Sequence, residues 1–219
     1  MVFIKDSIIC VKNVTKIFGE NQVLKNVSVE FEKNKIHGLI GRNGSGKTML
    51  LKCICGFIPV TSGEIVINRK RIGKDIDIPN DVGIIIENPG FLPNYSGYKN
   101  LKFLAGINNK ITKSEIRAFI KRVGLDPDNK KWVGKYSLGM RQRLGIAQAI
   151  MEDPSILILD EPMNGLDKHG VKDVRELLLE LKNEGKTIIL ASHSTEDIDI
   201  LCDTVSEMED GMLNVLQRT

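Results

Sequence analysis

The sequence predicts an α/β fold with a mainly parallel sheet flanked by helices, an antiparallel β layer and an inserted α-helical subdomain. Four apolar runs, rich in β-branched residues and bounded by turn formers, indicate buried parallel strands. They are residues 35–41, 82–87, 155–160 and 186–192. Helical periodicity follows three of them, at 47–57, 170–183 and 195–201. Repetition of a strand and then a helix is typical of α/β folds.

Five shorter stretches alternate apolar and polar residues, which favours antiparallel strands with one solvated face in an adjoining layer. They are residues 8–14, 27–31, 64–67, 204–208 and 212–215. A capping box of Thr112 and Glu115 opens a helix that Gly124 should close. A further helix starts near Leu138 and should end before Pro154, because proline cannot continue a helix.

These elements predict a single domain over residues 1–219. Its core would comprise residues 1–89 and 138–219, including the antiparallel layer. Residues 90–137 carry helical patterns and would form the inserted subdomain.

Composition excludes several classes of protein. A hydrophobic fraction of 42% and a charged fraction of 27% are ordinary for a globular domain. No apolar run approaches the roughly 18 residues of a membrane span, and there is no continuous signal-peptide core, so we expect a cytoplasmic protein. The formal charge of +3 does not indicate a nucleic-acid partner. Cys10, Cys53, Cys55 and Cys202 lack metal or redox spacing and are interpreted as reduced core thiols.

The segment GRNGSGKT at 41–48 matches the phosphate-binding P-loop pattern and lies between a predicted buried strand and a helix. Its glycines let successive amide groups of residues 44–48 face an anion at the start of that helix. Lys47 should reach the β- and γ-phosphates, and Thr48 should bind Mg²⁺. A P-loop NTPase core that binds ATP or GTP is therefore predicted, with phosphate-binding residues Gly41, Asn43, Gly44, Ser45, Gly46, Lys47 and Thr48.

Two carboxylates end the apolar run at 155–160. Open α/β sheets bind ligands at the carboxyl ends of their strands. Asp160 is the expected Mg²⁺ ligand. Glu161 would lie beside the attacking water, where a carboxylate can act as general base.

The segment YSLGMRQR at 136–143 resembles the signature of ATP-binding cassette (ABC) proteins, and the resemblance covers essentially the whole chain. Ser137 is a good helix N-cap, and Gly139 allows backbone amides to approach an anion. In the family, the signature of one subunit closes over ATP held by another in a head-to-tail dimer. The resemblance therefore implies that Ser137, Gly139 and Met140 contact ATP bound to a second subunit, unless Ser137 is only a helix cap.

Three further residues match family positions. The resemblance implies that Phe18 stacks on adenine, although it could simply be an apolar residue after the first strand. The segment NGLD, which ends at Asp167, resembles the loop that crosses the dimer interface in the family, although an ordinary turn is the alternative. His193 matches the histidine that touches the γ-phosphate.

The chain departs from the family pattern at Leu138, which replaces a glycine, at Met140, which replaces a glutamine, and at Glu87. The family normally has a glutamine at this last position, contacting magnesium or water. An acid keeps the oxygen acceptor but adds negative charge, so its effect depends on Mg²⁺ and protonation. The alternative is that the loop has shifted and Asn88 serves instead.

The segments at 87–101 and 137–143 resemble cassette ATPases of bacterial bacitracin-resistance and lantibiotic-immunity exporters. This implies an ATP-hydrolysing subunit, peripheral on the inner face of the cell membrane, that drives a separate permease. The loop at 89–98 would receive a permease helix or else pack within the subdomain. Trp132, among three lysines, is interpreted as an anchoring aromatic in a solvated loop, with a partner contact as the alternative.

The sequence is also compared with two alternative functions. Soluble cassette proteins act on nucleic acid or ribosomes, but those relatives carry a long coiled coil or two cassettes in tandem, which this chain lacks. A slowly hydrolysing, nucleotide-gated subunit would suit the altered signature and Glu87. Glu161 and His193 argue against it.

Overall fold

Two β-sheets organise the residues that the computed structural model describes, which are 7–87 and 89–216. The larger sheet has six strands in the order β10-β9-β3-β8-β7-β6, and the smaller has four in the order β2-β1-β4-β5. The strands are β1 (Ser7–Phe18), β2 (Asn21–Glu32), β3 (Ile36–Ile40), β4 (Ser62–Ile67), β5 (Lys70–Arg71), β6 (Val82–Ile85), β7 (Ile156–Asp160), β8 (Thr187–Ala191), β9 (Thr204–Glu209) and β10 (Met212–Leu216).

The four predicted buried runs form parallel strands in the larger sheet, as expected. β3 pairs with β8, β8 with β7 and β7 with β6, all in parallel. Every residue of β7 and β8 is buried, because helices or the smaller sheet cover both faces. The carboxyl ends of these strands consequently meet at one edge, which positions the loops that follow them.

The predicted antiparallel layer is confirmed for β1, β2 and β4, which pair antiparallel in the smaller sheet. The assignment of residues 204–208 and 212–215 to that layer is wrong. β9 pairs in parallel with β3, and β10 pairs antiparallel with β9, so both strands extend the larger sheet. Alternation along a strand reports a solvated face, but it does not identify the neighbouring strand.

Six α-helices complete the described residues: α1 (Lys47–Ile54), α2 (Gly97–Asn108), α3 (Lys113–Arg122), α4 (Leu138–Ile150), α5 (Lys168–Asn183) and α6 (Thr195–Leu201). The capping box is confirmed, with Thr112 and Glu115 bonded to each other's backbone amides. α4 ends before Pro154, as predicted. α2 was not predicted as an individual helix, and its N-cap is Ser96.

The core has two parts, one on each face of the larger sheet. Leu101 and Ile116, from the inserted helices, share one apolar cluster with Leu144 of α4. The other cluster joins α1 and the smaller sheet to the opposite face. All four cysteines are buried free thiols, and burial raises the pKa of Cys53 to about 11 and of Cys55 to about 12. None of the helices in the described ranges has the length and apolar character needed to cross a bilayer.

Candidate active site

The P-loop connects the end of β3 to the start of α1 along a path that requires glycine. Gly41 has φ +144° and Gly46 has φ +112°. A Cβ at Gly41 would lie 2.3 Å from the carbonyl oxygen of Met208, and one at Gly46 would lie 2.9 Å from that residue's Cε. Larger residues at these positions would therefore displace β9 or the loop.

The loop presents donors that fit a phosphate. The N-cap of α1 is Gly46, which supplies no side-chain cap to the first amides of the helix. Ser45 Oγ is buried and makes no hydrogen bond within the described part of the chain. The ammonium of Lys47, a residue only 6% exposed, donates to the carbonyl oxygens of Gly41 at 2.6 Å and Arg42 at 3.1 Å. Uncapped amides, an unpaired hydroxyl and a buried ammonium together favour an anionic ligand.

Thr48 and Asp160 place two oxygen ligands side by side. Thr48 Oγ1 donates to Asp160 Oδ2 over 2.7 Å. Burial raises the pKa of Asp160 above its usual range, although the hydrogen bond from Thr48 and the charge of Lys47 oppose this. Oxygen ligands of this kind suit Mg²⁺, which proteins commonly bind through one or two side chains together with substrate phosphates. No group of three or more His, Cys, Asp or Glu side chains in the described ranges is placed to hold a metal alone.

Glu161 and His193 follow neighbouring strands and meet at the sheet edge. Nδ1 of His193 lies 2.8 Å from Oε2 of Glu161. Glu161 has φ +51°, a strained value for a residue other than glycine, and its amide donates to the carbonyl oxygen of Ala191. Strained backbone is often found at functional sites, where the surrounding structure holds it.

Gln142 was not predicted as a site residue. It is 5% exposed on α4, and its Nε2 donates to the carbonyl oxygen of Glu161 over 3.2 Å. The amide of Asn164 donates to the same oxygen at 3.1 Å. The signature helix is therefore bonded to the main chain of the proposed general base in the same subunit. Gln142 lies four and seven residues before the apolar Ile146 and Ala149, on the buried face of α4, and this helical spacing is the signal that could have indicated it.

Glu87 is paired with a cation that sequence reasoning missed. Its Oε1 accepts a hydrogen bond from Lys52 Nζ at 2.7 Å, and its backbone has φ +60°. The two residues are 35 positions apart, so no local pattern links them. Asn88, the alternative to Glu87, lies outside the described residues.

A cavity of about 530 Å³ unites most of the predicted site. Its lining combines the P-loop, the two acidic residues at the end of β7, Glu87 and part of α4. The members predicted from sequence are Asn43, Gly44, Gly46, Lys47, Thr48, Glu87, Asp160 and Glu161. Lysine, threonine and carboxylates around one cavity can hold a triphosphate and polarise a water molecule.

The signature residues lie at the exposed N-terminus of α4. Ser137 Oγ accepts from the amide of Met140 at 3.2 Å, which confirms the predicted N-cap. Ser137 is exposed, and Gly139 and Met140 are half-buried. Leu138 packs over Gly165, where a Cβ would lie only 2.3 Å from Leu138 Cδ2. The bulkier residue is thus accommodated by a glycine, and the helix terminus stays accessible.

Asp167 and Phe18 stand outside the cavity lining. Asp167 Oδ1 accepts from the amide of Gly170 at 2.7 Å, which makes it the N-cap of α5. Phe18 is 46% exposed at the end of β1, with Lys16 Nζ 4.6 Å from its ring centroid. An exposed ring of this kind can stack on a flat ligand.

Comparisons with known proteins agree on one family. The family model for the ABC transporter matches residues 24–164. The uncharacterised ABC transporter ATP-binding protein YybJ of Bacillus subtilis is 49% identical over 95% of this chain and 95% of its own length. The bacitracin transport ATP-binding protein BcrA of Enterococcus faecalis is 40% identical over 97% and 70%, respectively. The lantibiotic transport ATP-binding protein SrtF of Streptococcus pyogenes is 36% identical over 93% and 87%.

Solved structures confirm the predicted fold class. The dimeric cassette MJ0796 superposes with a TM-score of 0.85 at 23% identity, covering 96% of this chain and 100% of that one. The protein cbiO1 of Clostridium perfringens, part of the transporter complex cbiONQ, gives a TM-score of 0.81 at 28% identity, covering 96% and 88%. The fold of this chain is therefore that of these cassettes.

Proposed function

Because this chain belongs to the ABC transporter family as an ATP-binding subunit, we propose that it hydrolyses ATP to drive a bacterial exporter of bacitracin-type or lantibiotic peptides. The resemblance of the segments at 87–101 and 137–143 to such exporters is supported by two relatives, the bacitracin transport protein BcrA and the lantibiotic transport protein SrtF. The observation that carries the hydrolytic activity is the convergence of Lys47, Thr48, Asp160 and Glu161 on one cavity.

Separate residues of the chain bind the triphosphate, activate the water and orient the carboxylate. The P-loop amides and Lys47 hold the triphosphate. Glu161 accepts a proton from the attacking water. The oxygen of that water bonds to the γ-phosphorus, and the bond between the γ-phosphorus and the oxygen of the β-phosphate breaks. Phosphate and ADP are the products. His193, bonded to Glu161, orients the carboxylate.

Thr48 and Asp160 are the residues that would hold Mg²⁺. When bound, this ion would neutralise phosphate charge and orient the triphosphate. Glu87 lines the same cavity, and we propose that it stands near the ion with its charge balanced by Lys52.

In this proposal, hydrolysis requires a second ATPase subunit, which is most simply another copy of this chain. Ser137, Gly139 and Met140 would contact ATP held by the partner, with Asp167 beside the interface and Phe18 against adenine. The exposed N-terminus of α4 supports this arrangement, because the positive end of the helix dipole attracts phosphate. A dimer also agrees with the solved structure of the cassette MJ0796, which is dimeric.

The permease would bind the groove between the core and the insertion. A cavity of about 410 Å³ there is lined by the edge strand β6, Phe57, Lys110 and part of α4. Phe57 is 50% exposed, so a permease segment would cover apolar surface. Association with the inner face of the membrane would follow from this contact.

Peptide sensitivity tests the exporter function. Cells lacking this chain should become sensitive to bacitracin or to a lantibiotic, and the unaltered chain should restore resistance. The Glu161→Gln variant, expressed to the same level, should not restore it. Unchanged sensitivity of the deletion strain across a broad panel of membrane-active peptides would contradict the exporter function while leaving ATP hydrolysis open to direct assay.

A further inference from the structure

The positive charge of the chain is concentrated in the helical insertion. Residues 90–137 contain ten Lys or Arg and three Asp or Glu, a formal charge of +7, whereas the whole chain carries +3. The remainder is therefore net negative at −4. The overall balance, which indicated no partner, conceals a strongly basic segment.

Several apolar side chains are exposed within the same segment. Tyr95 packs edge-to-face on Phe103, with ring centroids 5.1 Å apart. Ile107 lies one turn after Phe103 on α2 and is 75% exposed. The backbones of Ser96 and Trp132 form a β-bridge, and the amide of Val133 donates to the carbonyl oxygen of Tyr95, so the two segments run side by side. Trp132 is 51% exposed, so about half of its side chain is accessible to a partner.

Lysines surround these rings. Lys99 Nζ lies 5.9 Å from the ring centroid of Tyr95, and Lys135 Nζ lies 5.7 Å from that of Trp132. Lys102 is exposed on α2, one turn from Lys99. None of these three ammonium groups has a carboxylate partner within residues 7–87 and 89–216. We name the set Tyr95, Phe103, Ile107, Trp132, Lys99, Lys102 and Lys135 the aromatic–lysine surface.

We propose that the aromatic–lysine surface binds directly to an anionic lipid bilayer. Unpaired lysines near an anionic membrane each strengthen binding by about fivefold. Tryptophan and tyrosine favour the boundary between headgroups and hydrocarbon, where an apolar ring meets a polar edge. A membrane contact made by this chain itself is distinct from attachment through a permease.

The apolar members favour lipid over the other partners that a basic surface can attract. Nucleic-acid surfaces that stack bases use aromatic and arginine side chains. Here the most exposed apolar residue is aliphatic Ile107, and the basic groups beside the rings are lysines. Aliphatic side chains gain by entering the acyl boundary, whereas they do not stack on bases.

The chain carries its own probe, because Trp132 is its single tryptophan. Purified chain without nucleotide is mixed with vesicles of phosphatidylcholine alone or of equal parts phosphatidylcholine and phosphatidylglycerol. The proposal predicts a blue shift of Trp132 emission with the anionic vesicles, and quenching when acyl chains carry bromine. Pure phosphatidylcholine should give a much smaller response. Since no permease is present, this experiment is independent of the proposed export function.

Matched charge variants locate the contact. The triple variant Lys99→Gln, Lys102→Gln and Lys135→Gln should lower vesicle affinity about a hundredfold, as expected for three lysines near an anionic surface. The control triple variant Lys25→Gln, Lys33→Gln and Lys70→Gln removes the same charge from exposed sites outside the insertion and should change affinity less than about twofold. Ile107→Ser should weaken vesicle binding without changing net charge.

Three outcomes would overturn the proposal. The first is an absence of any Trp132 shift with anionic vesicles. The second is equal loss of binding in the two triple variants, which would indicate non-specific charge attraction. The third is a Trp132 response to oligouridylate or to polyglutamate but not to vesicles, which would assign the surface to nucleic acid or to an acidic protein segment. Thermal unfolding of every variant verifies that it remains folded.

Discussion

Nδ1 of His193 and Oε2 of Glu161 lie 2.8 Å apart, so one hydrogen bond joins the residues that follow β8 and β7. In the described part of the chain, no hydrogen bond is formed by the other ring nitrogen, Nε2. The imidazole can therefore hold the carboxylate and still contact a phosphate. In the proposed mechanism, the pair links the positioning of Glu161 as general base to the presence of substrate.

Removal of this hydrogen bond should impair turnover more than binding. For His193→Ala we expect kcat to fall by about 10-fold to 100-fold, because the carboxylate loses its orientation. Affinity for ATP should change less than about threefold, since the P-loop donors are intact. Phosphate release and binding of a fluorescent ATP analogue measure the two quantities. His169→Ala is the control, because His169 is exposed and pairs with Asp173 away from the cavity; equal losses in both variants would refute the role of His193.

Gln142 should act as a positioning residue for Glu161. Gln142→Ala removes its hydrogen bond to the Glu161 carbonyl, worth about 1 kcal/mol, and should lower kcat about fivefold with KM nearly unchanged. Gln148→Ala, on the same helix but facing the groove beside β6, should leave the kcat of the isolated chain unchanged. A rise in KM without a fall in kcat would indicate that Gln142 contributes only to nucleotide binding.

The pair of Glu87 and Lys52 should control the magnesium dependence of turnover. Glu87→Gln removes a negative charge from the cavity lining, so we expect the Mg²⁺ concentration at half-maximal rate, or the pH profile, to shift. Lys52→Gln leaves that charge unbalanced and should shift the profile in the opposite direction. The double variant should restore it in part. Identical profiles for the native chain and Glu87→Gln would favour Asn88 as the contact.

His37 should make stability depend on pH. Its ring lies between Thr204 Oγ1 at 2.7 Å and the carbonyl oxygen of Glu32 at 2.8 Å. Burial lowers the pKa of His37, although the Glu32 hydrogen bond opposes this. The unfolded chain therefore binds more protons below about pH 6.5, and the free energy of unfolding should decrease as pH falls through this value towards the lower folded pKa.

Urea unfolding at pH values between about 7.5 and 5.5 measures this effect. His37→Gln should flatten the decrease. His169→Gln should have the opposite effect. A hydrogen bond of the His169 ring to its own backbone and the charge of Asp173 raise the pKa of His169. Loss of His169 should therefore steepen the decrease in the free energy of unfolding as pH falls. An unchanged slope in His37→Gln would show that other groups cause the dependence.

The parallel strands and the P-loop could be predicted because their signals are local. Each buried run is continuous, and the pattern at 41–48 includes its own strand and helix context. The position of β9 and β10 at one end of the larger sheet could not be predicted, since the alternation of residues 204–208 does not identify β3 as the neighbour.

The site was predictable where single residues define its chemistry, as at Lys47 and Asp160. It was not predictable where two distant residues act together. Lys52 meets Glu87, and Gln142 meets Glu161, only after the sheet and α4 are assembled. The basic insertion was hidden by averaging charge over the whole chain.

Trapping of a nucleotide-bound dimer tests the central proposal most directly, which is that two subunits share each ATP site. Glu161→Gln removes the proposed general base and should lower hydrolysis at least a hundredfold while leaving the P-loop donors intact. Light scattering with ATP and Mg²⁺ should then report a mass near twice the 24.4 kDa of one chain. Ser137→Trp in the same background should keep ATP binding but abolish the dimer. An ATP-loaded Glu161→Gln chain that remains monomeric would contradict the shared site.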